Sequence, residues 1–476
     1  MKTKLWLGVA FVATLYGSAG HAKDLGDLLL KKGLITEDEL QQAREEEKQK
    51  AAADESRLEA LKAKLPKWLD AITPFGDIRV RDEGFYENDV VARNRFRVRA
   101  RIGLNINPSD EVSGTFRLAS GDSNDPISTN QSFQNTFTRK SINLDWAYLT
   151  IKPGKTVGLE PGWFSITGGK FGVNTYKVSE LVWDDDVAPE GATETLNLVD
   201  QRTNFVRGLK INVFQWVVDE IATGGDPWLF GGQVVTDTAF SDSARWTFAF
   251  ADYHYEDLNN VATKFLSPFS GSSDPFAANS SLNSSLANSN TVLLSKPDSK
   301  KQQKILGFAS GFNIINANTE LNFGPFGASG ISGGLFGDLA YNTQADSKNT
   351  GVYVGAGIGK SGRDWYHNNL RNPGDWAVSY IYAWVEKDAV LSLFSFSNID
   401  YSRLQTSAQT QKGSTNVIAN MIRADYVLFP NFQLTAKANL INALDRDSAT
   451  NISGQPLSRP GNSTLVRTQL DAVLKF

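Results

Sequence analysis

The sequence predicts an all-β protein, a transmembrane antiparallel β-barrel of about 16 strands preceded by a short N-terminal helical segment. Three observations predict this fold class. Apolar and polar residues alternate with a period of two in most segments after Pro74. The connections between these segments are long at one end of the predicted barrel and short at the other. An export signal opens the chain, and no run of about 20 apolar residues follows it that would form a transmembrane helix.

The clearest alternation lies in residues 93–107, RNRFRVRARIGLNIN. Successive side chains of a strand point to opposite faces, so the arginines share one face and apolar residues the other. Four stacked arginines gain nothing on a soluble sandwich, whereas in a membrane barrel they line an aqueous lumen. The first, third and closing strands add arginines on the same side. The resulting arginine wall comprises Arg79, Arg81, Arg95, Arg97, Arg99, Arg101, Arg117 and Arg467.

Sixteen segments are predicted to be strands, and their connections differ in length according to the end at which they lie. The predicted strands are 76–85, 93–107, 111–120, 139–152, 162–171, 193–200, 204–217, 228–239, 244–255, 303–315, 330–342, 351–360, 375–386, 414–428, 431–442 and 463–476. If the first strand runs outward, the long polar connections fall at the outer end: 121–138, 172–192, 256–302, 387–413 and 443–462. The shortest turns fall at the other end: 108–110, 201–203, 240–243 and 429–430. Outer-membrane barrels show this asymmetry.

The N-terminus is predicted to contain two segments before the barrel. Residues 1–22 combine a basic start, an apolar run and small residues before a cleavage site after Ala22, which is typical of a signal peptide. Residues 23–72 are rich in Ala, Glu, Lys and Leu and contain a capping box from Thr36 to Glu39, so they are expected to be helical. Self-association through a short coiled coil and a periplasmic or cell-wall contact through 23–65 both remain open. The barrel is expected to span 73–476.

Composition argues against several other classes of protein. The chain has no cysteine and three histidines, which excludes a disulfide framework and thiolate chemistry and leaves few metal ligands. Its net charge of −4 gives no support for nucleic-acid binding. Residues 355–361, GAGIGKS, depart from the phosphate-loop pattern, so their glycines are expected to let a strand bend or pack closely. A lone His254 is more often structural than catalytic. We expect no enzymatic activity, cofactor or metal.

Three internal stretches resemble the "putative porin" family of proteobacteria: ARNRFRVRARIGL, LDWAYLTIKP and GGKFGVNTYKVSELVWDDDVAPEGA. The resemblance covers roughly residues 74–476 and implies a general-porin-like channel in the outer membrane of a Gram-negative bacterium. The terminal Phe476 resembles the signal recognised by the barrel-assembly machinery. General porins are usually trimers, so a homotrimer surrounded by outer-membrane lipid is expected.

An acidic group follows the fifth predicted strand: Asp184, Asp185, Asp186 and Glu190. In porins the corresponding long loop folds into the barrel and narrows it. These carboxylates are therefore predicted to form a constriction opposite the arginine wall and to create a transverse field. A solvent-exposed acidic loop and a Ca²⁺ site are the alternatives.

The predicted function is a passive aqueous channel for small hydrophilic solutes. The arginine wall favours anionic or zwitterionic solutes, because arginine stays charged and binds carboxylate or phosphate through two hydrogen bonds. The alternative is a ladder neutralised by lumen acids such as Asp77, Asp145 and Asp471, with little selectivity. A different class of function is a structural envelope tether or adhesion protein whose barrel anchors the N-terminal segment.

Overall fold

The computed structural model describes residues 67–88, 91–134, 136–200, 205–222, 224–266, 290–296, 305–360, 364–399, 415–445 and 463–476, with a few isolated positions before residue 67. The chain divides into two compact units, Met1–Asp70 and Ala71–Phe476. The predicted signal peptide, and nearly all of the predicted helical segment and its proposed contacts, lie outside the described residues. No helix among the described residues is long and apolar enough to cross a bilayer.

The second unit is built almost entirely of β-strands. Nineteen strands occur among the described residues: β1 Ile72–Tyr86, β2 Arg93–Ile106, β3 Val112–Ser120, β4 Gln131–Ser132, β5 Ile142–Ile151, β6 Phe164–Lys170, β7 Glu190–Asp200, β8 Val206–Val217, β9 Trp228–Ser241, β10 Ala244–Glu256, β11 Val292–Leu294, β12 Ile305–Phe308, β13 Asn313–Phe326, β14 Ile331–Asn342, β15 Thr350–Lys360, β16 Trp376–Val385, β17 Val417–Phe429, β18 Phe432–Ala443 and β19 Leu465–Lys475. One α-helix, α1, spans Asn259–Leu266, and 3₁₀ turns lie at Lys67–Ala71, Gly327–Ser329 and Ser397–Ile399.

Sixteen of these strands form one closed antiparallel barrel, as predicted. Each pairs with the next along the chain, and β19 returns to pair with β1 from Asp77↔Lys475 to Tyr86↔Val466. The short β4 adds to β2, while β11 and β12 form a separate two-stranded sheet. The tenth predicted strand, 303–315, is misplaced: its first part is β12, and the barrel strand is β13. Both segments carry apolar residues suited to a strand, so alternation alone did not distinguish them.

The barrel is apolar outside and polar inside. On β1, Ile78 and Val80 are each 46% exposed, whereas Arg81 on the same strand is 2% exposed and faces the lumen. The same division holds on β2, where Phe96 and Ile102 are more than half exposed. An exposed apolar surface around a closed barrel is suited to contact with lipid acyl chains.

One β-bulge reverses the faces of β5 partway along the strand. Period-two alternation predicts that Ile142, Leu144, Trp146 and Tyr148 share one face, but the register shifts opposite Arg117/Leu118. Ile142 and Leu144 point outward, with 66% and 52% of their surfaces exposed. Beyond the bulge, Trp146 faces the lumen, and the Arg117 guanidinium carbon lies 3.2 Å from the centre of the Trp146 ring. An extra residue in one strand reverses the faces of all residues after it, and nothing local in the sequence announces it.

Connections of the barrel alternate between two ends because all pairings are antiparallel. The long-loop end holds the connections 121–141, 171–189, 257–312, 386–416 and 444–464, and the short-turn end holds 107–111, 201–205, 242–243 and 430–431. Two longer connections, 152–163 and 361–375, also belong to the short-turn end. The second of them contains the fully buried Trp365.

Candidate channel constriction

The arginine wall is assembled from four neighbouring strands, β19, β1, β2 and β3. Glu83 lies at its centre and is fully buried. Its Oε1 accepts hydrogen bonds from Arg467 Nη2 at 2.6 Å and Gln469 Nε2 at 2.8 Å. Its Oε2 is paired with Arg95, and the Arg97 guanidinium approaches to 3.9 Å. One carboxylate therefore compensates several guanidinium groups.

Two further carboxylates on the strands, Asp77 and Asp471, form ion pairs with other arginines of the wall. Asp77 lies between Arg99 at 2.7 Å and Arg101 at 2.6 Å. Asp471 receives two hydrogen bonds from Arg81, at 2.6 and 2.7 Å. Two parallel bonds between planar groups hold both side chains in a fixed orientation. These contacts keep the wall extended along the inner surface instead of letting its side chains collapse onto one another.

Arg79 differs from the rest of the wall. Its Nη2 donates to the amide oxygen of Asn130 at 2.6 Å, and its Nε has no hydrogen-bond partner in the part of the chain that the structure describes. Within the described residues, the ion pairs of the other seven arginines involve five carboxylates: Asp77, Glu83, Asp145, Asp186 and Asp471. In this part of the chain the arginines of the wall outnumber the carboxylates that contact them.

The connection 171–189, the constriction loop, folds into the barrel. Three hydrogen bonds attach its start to the opposite side of the barrel. Tyr176 N donates to Gln233 Oε1 on β9 at 2.8 Å, and Val178 N donates to Asn318 Oδ1 on β13 at 2.9 Å. Ser179 Oγ donates to Asp338 Oδ2 on β14 at 2.7 Å. The loop is therefore seated on the inner wall and is not a solvent-exposed acidic loop.

Apolar packing secures the middle of the constriction loop. Leu181 and Trp183 are 1% and 3% exposed. The Trp183 ring packs 5.4 Å from that of Trp216 and 5.5 Å from that of Tyr253, both on the barrel wall. It also stacks on Phe394 of the connection 386–416 at 5.7 Å. Burial of such large rings stabilises the inserted loop.

The three consecutive aspartates have different partners. Asp186 faces the arginine wall, 3.4 Å from Arg101, and also accepts from the Thr129 backbone N and Oγ1 at 3.1 Å. Asp185 instead contacts Lys177 at 2.6 Å and His367 at 3.0 Å. Only Asp186 therefore has the predicted contact with the wall.

The other two predicted acids lie elsewhere. Asp184 accepts from two backbone amides, those of Asp186 at 3.0 Å and Ser397 at 3.2 Å. Burial, together with nearby Glu180, raises the pKa of Asp184 well above its usual range. Glu190 begins β7, and its side chain is 63% exposed and 2.8 Å from Lys170. Neither carboxylate contacts the arginine wall.

His367 supplies a positive charge that the sequence did not reveal. Its Nδ1 lies 2.8 Å from Asp364 and its Nε2 lies 3.0 Å from Asp185. Burial opposes protonation, but the two carboxylates outweigh it and raise the pKa of His367 to about 10. The imidazolium in turn, with Lys177, holds the pKa of Asp185 well below its usual range despite burial. This pair is charged at neutral pH.

A cavity of about 540 Å³ opens at the long-loop end beside the constriction loop. Its wall combines the Trp183 and Phe394 rings with Lys170 and several acidic side chains, among them Asp122 and Asp186. The described residues contain no group of three histidine, aspartate or glutamate side chains able to hold a metal ion. The cavity forms a vestibule whose lining is both apolar and charged.

Glu83 was not predicted as a site residue, although the sequence contained a signal for it. Alternation places Glu83 on the inward face of β1 together with Arg79 and Arg81. No such signal exists for His367, which meets the constriction loop only through tertiary structure. Phe476 is 54% exposed, and its backbone exchanges two 3.0 Å hydrogen bonds with Gly76 on β1. Its proposed role in assembly remains a prediction.

A closed barrel with an apolar exterior, a charged inner wall and an inserted loop defines a membrane-spanning barrel of the outer-membrane class. Residues 85–403 match the family described as "Putative porin". The chain belongs to this family and is located in the outer membrane of a Gram-negative bacterium, as the sequence resemblance implied. No curated protein matches the chain.

Several solved structures align with most of the chain at low sequence identity. OmpF of Salmonella typhi, in complex with daunomycin, shares 9% identity at a TM-score of 0.44, covering 87% of this chain and 100% of its own. OprB of Pseudomonas putida shares 11% identity at a TM-score of 0.48, covering 86% of this chain and 96% of its own. The outer-membrane channel DcaP of Acinetobacter baumannii shares 11% identity at a TM-score of 0.39, covering 85% of this chain and 97% of its own.

Proposed function

We propose that the protein is a passive channel for small hydrophilic solutes, narrowed by the constriction loop that lies in the barrel beside the arginine wall. The observation that carries this proposal is the position of the constriction loop inside the barrel, where its Asp186 lies 3.4 Å from Arg101 and brings acidic groups beside the basic wall. Opposite charges on the two sides of a passage create a transverse field, which orients dipolar solutes and selects ions through local potential without a covalent step. The protein is expected to act without a cofactor or an enzymatic reaction.

Conductance of purified, refolded protein in planar lipid bilayers tests the channel directly. We expect stepwise current increases as barrels insert, because each barrel adds one conducting pathway. Buffer with the same detergent and a sample unfolded by heat serve as controls. Complete absence of current steps for folded protein at all voltages would reject the channel.

We further propose a moderate preference for anionic or zwitterionic solutes. Among the residues that the structure describes, the arginines of the wall outnumber the carboxylates that contact them, and guanidinium groups bind carboxylate and phosphate well. Acidic side chains around the vestibule act in the opposite sense and limit the preference. Anion selectivity therefore depends on those arginines of the wall whose guanidinium N–H groups can still donate hydrogen bonds to a solute.

Replacing Arg79 with glutamine is expected to shift the reversal potential in asymmetric KCl towards that of a cation-selective pore. Arg79 donates to the neutral Asn130, so its removal takes away positive charge without stranding a paired carboxylate. Arg245→Gln is the matched control, since Arg245 pairs with Asp237 near the short-turn end of β9 and β10. Equal reversal potentials for Arg79→Gln and wild type would place Arg79 outside the selective region.

The apolar exterior also supports the proposal of a homotrimer surrounded by outer-membrane lipid, inserted by the barrel-assembly machinery. Exposed side chains such as Leu434, Leu440 and Leu470 can contact either lipid or another subunit. Light scattering coupled to size-exclusion chromatography in detergent is expected to give three times the monomer mass after correction for detergent. A monomer mass under mild extraction conditions would contradict the trimer.

A further inference from the structure

The connection between β15 and β16 enters the barrel from the end opposite to the constriction loop. Its residues 364–368, here called the strut, carry the sequence DWYHN. Trp365 is fully buried, and its Nε1 donates to Asn322 Oδ1 on β13 at 2.7 Å. The base of the strut is therefore fixed to the inner wall.

Two inward glycines make room for the indole. A Cβ atom on Gly334 of β14 would lie 2.0 Å from Trp365 Nε1, and one on Gly357 of β15 would lie 2.4 Å from its Cε3. Real Cβ contacts are never this short, so only glycine fits beside the ring. The expectation that residues 355–361 pack closely is met at Gly357, and the strut is what packs there.

The end of the strut is attached to a second part of the wall. Arg423 Nη1 on β17 donates to the Tyr366 backbone oxygen at 2.9 Å, and Asn368 Nδ2 donates to Asp425 at 2.9 Å. Gln433 Nε2 on β18 donates to the backbone oxygen of Asn368 at 3.2 Å. Bonds to three strands leave the strut little freedom to move as a unit.

Between these attachments, two side chains reach the constriction loop. Tyr366 Oη donates to Glu180 Oε2 at 3.0 Å, and its ring packs 6.1 Å from that of Phe396. His367 Nε2 lies 3.0 Å from Asp185, while its other ring nitrogen is held by Asp364. The loop is thus attached to the arginine wall through Asp186 and to the strut through Glu180 and Asp185.

We infer that Tyr366 and His367 are positioning residues that hold the constriction loop in the lumen and set the charge beside Asp185. The inference rests on the proposed channel for its effect on ion flow, but the holding of the loop can be measured without any current. Tyr366 contributes position alone, through its hydroxyl group. His367 contributes position and one positive charge.

Thiol labelling measures how firmly the loop is held. The chain has no cysteine, so Val182→Cys in the constriction loop supplies a single thiol at a site that is 5% exposed. Maleimide reaction of a buried thiol requires local opening. Adding Tyr366→Phe or His367→Gln is expected to speed labelling about tenfold, which corresponds to about 1.4 kcal/mol of opening free energy. Labelling at the parent rate in both backgrounds would overturn the inference.

Bilayer recordings separate the two roles. Both variants are expected to close more often under voltage, because a loosened loop samples other positions. Only His367→Gln is expected to shift the permeability ratio towards cations, and His367→Lys is expected to restore it by returning the charge. His254→Gln is the matched control, since His254 on β10 contacts Asn313 and Glu256 and, among the described residues, has no polar contact with the loop.

These outcomes distinguish the two proposals. Wild-type protein without current, but with faster labelling in the variants, rejects the channel and supports the strut. Wild-type current with permeability that neither His367 variant changes rejects the role of His367 in setting charge. The change in electrophoretic mobility on heating serves as the check on folding. A variant that shows the same change as wild type has an intact barrel.

Discussion

Replacing Glu83 with glutamine is expected to lower the free energy of unfolding by about 3–5 kcal/mol, the range found when one partner of a buried ion pair is removed. Glu83 is fully buried and compensates Arg95, Arg467 and the more distant Arg97. Glutamine keeps the shape and one acceptor oxygen but removes the negative charge. The guanidinium groups would then repel one another in a space from which they cannot withdraw.

The effect can be measured by urea titration of the protein folded in lipid vesicles and by the temperature of its electrophoretic shift in detergent. Glu190→Gln provides the same chemical change at an exposed position, since that side chain is 63% exposed and, among the described residues, its ion pair is with Lys170. Exposed ion pairs contribute little to stability, so this control should unfold like wild type. Equal midpoints for the two variants would contradict the central role of Glu83.

Gly334→Ala is expected to displace Trp365 and to destabilise the barrel by about 1–3 kcal/mol, as overpacking in a tight interior does. The added methyl group would lie 2.0 Å from the indole nitrogen and 2.8 Å from the Leu321 backbone oxygen. The ring can move only by giving up its hydrogen bond to Asn322. The strut loses its base, so faster labelling of the constriction loop should accompany the loss of stability.

Gly333→Ala is the matched control on the neighbouring residue of β14. A Cβ atom there would meet only the Gly357 backbone oxygen, at 3.4 Å, and its backbone is not in the left-handed region. Its unfolding midpoint should remain close to that of wild type. Trp365→Phe should partly rescue Gly334→Ala, because phenylalanine lacks the nitrogen that clashes. A Gly334→Ala barrel with wild-type stability and labelling would show that the indole is not confined there.

The period-two pattern was sufficient to predict the number of strands, the inward and outward faces of most of them and the end at which most of the long loops lie. This succeeds because each face of a membrane barrel meets a uniform medium, so alternation is maintained along most strands. The arginine wall followed from the same rule. Its acidic partners on the strands, such as Asp77 and Asp471, were accessible to the same reasoning.

Features that depend on tertiary contacts were not predictable in this way. The bulge opposite Arg117/Leu118 reverses the faces of Trp146 and Tyr148 without a distinctive local sequence. The contact between Asp185 and His367 joins residues far apart in the chain that enter the lumen from opposite ends. The division of work among Asp184, Asp185 and Asp186 depends on such neighbours, whereas the sequence shows three identical residues.

The pairing of β1 with β19 has a consequence for how the barrel forms. Arg81 bonds Asp471, and Glu83 bonds Arg467, so charged partners from the first and last strands meet only when the cylinder closes. A chain still missing its final strand would leave Arg81 without its carboxylate partner and Glu83 with only the partners that β2 supplies. Their mutual attraction therefore favours the complete cylinder over sheets that lack one strand, and it opposes any sideways opening of this junction towards lipid.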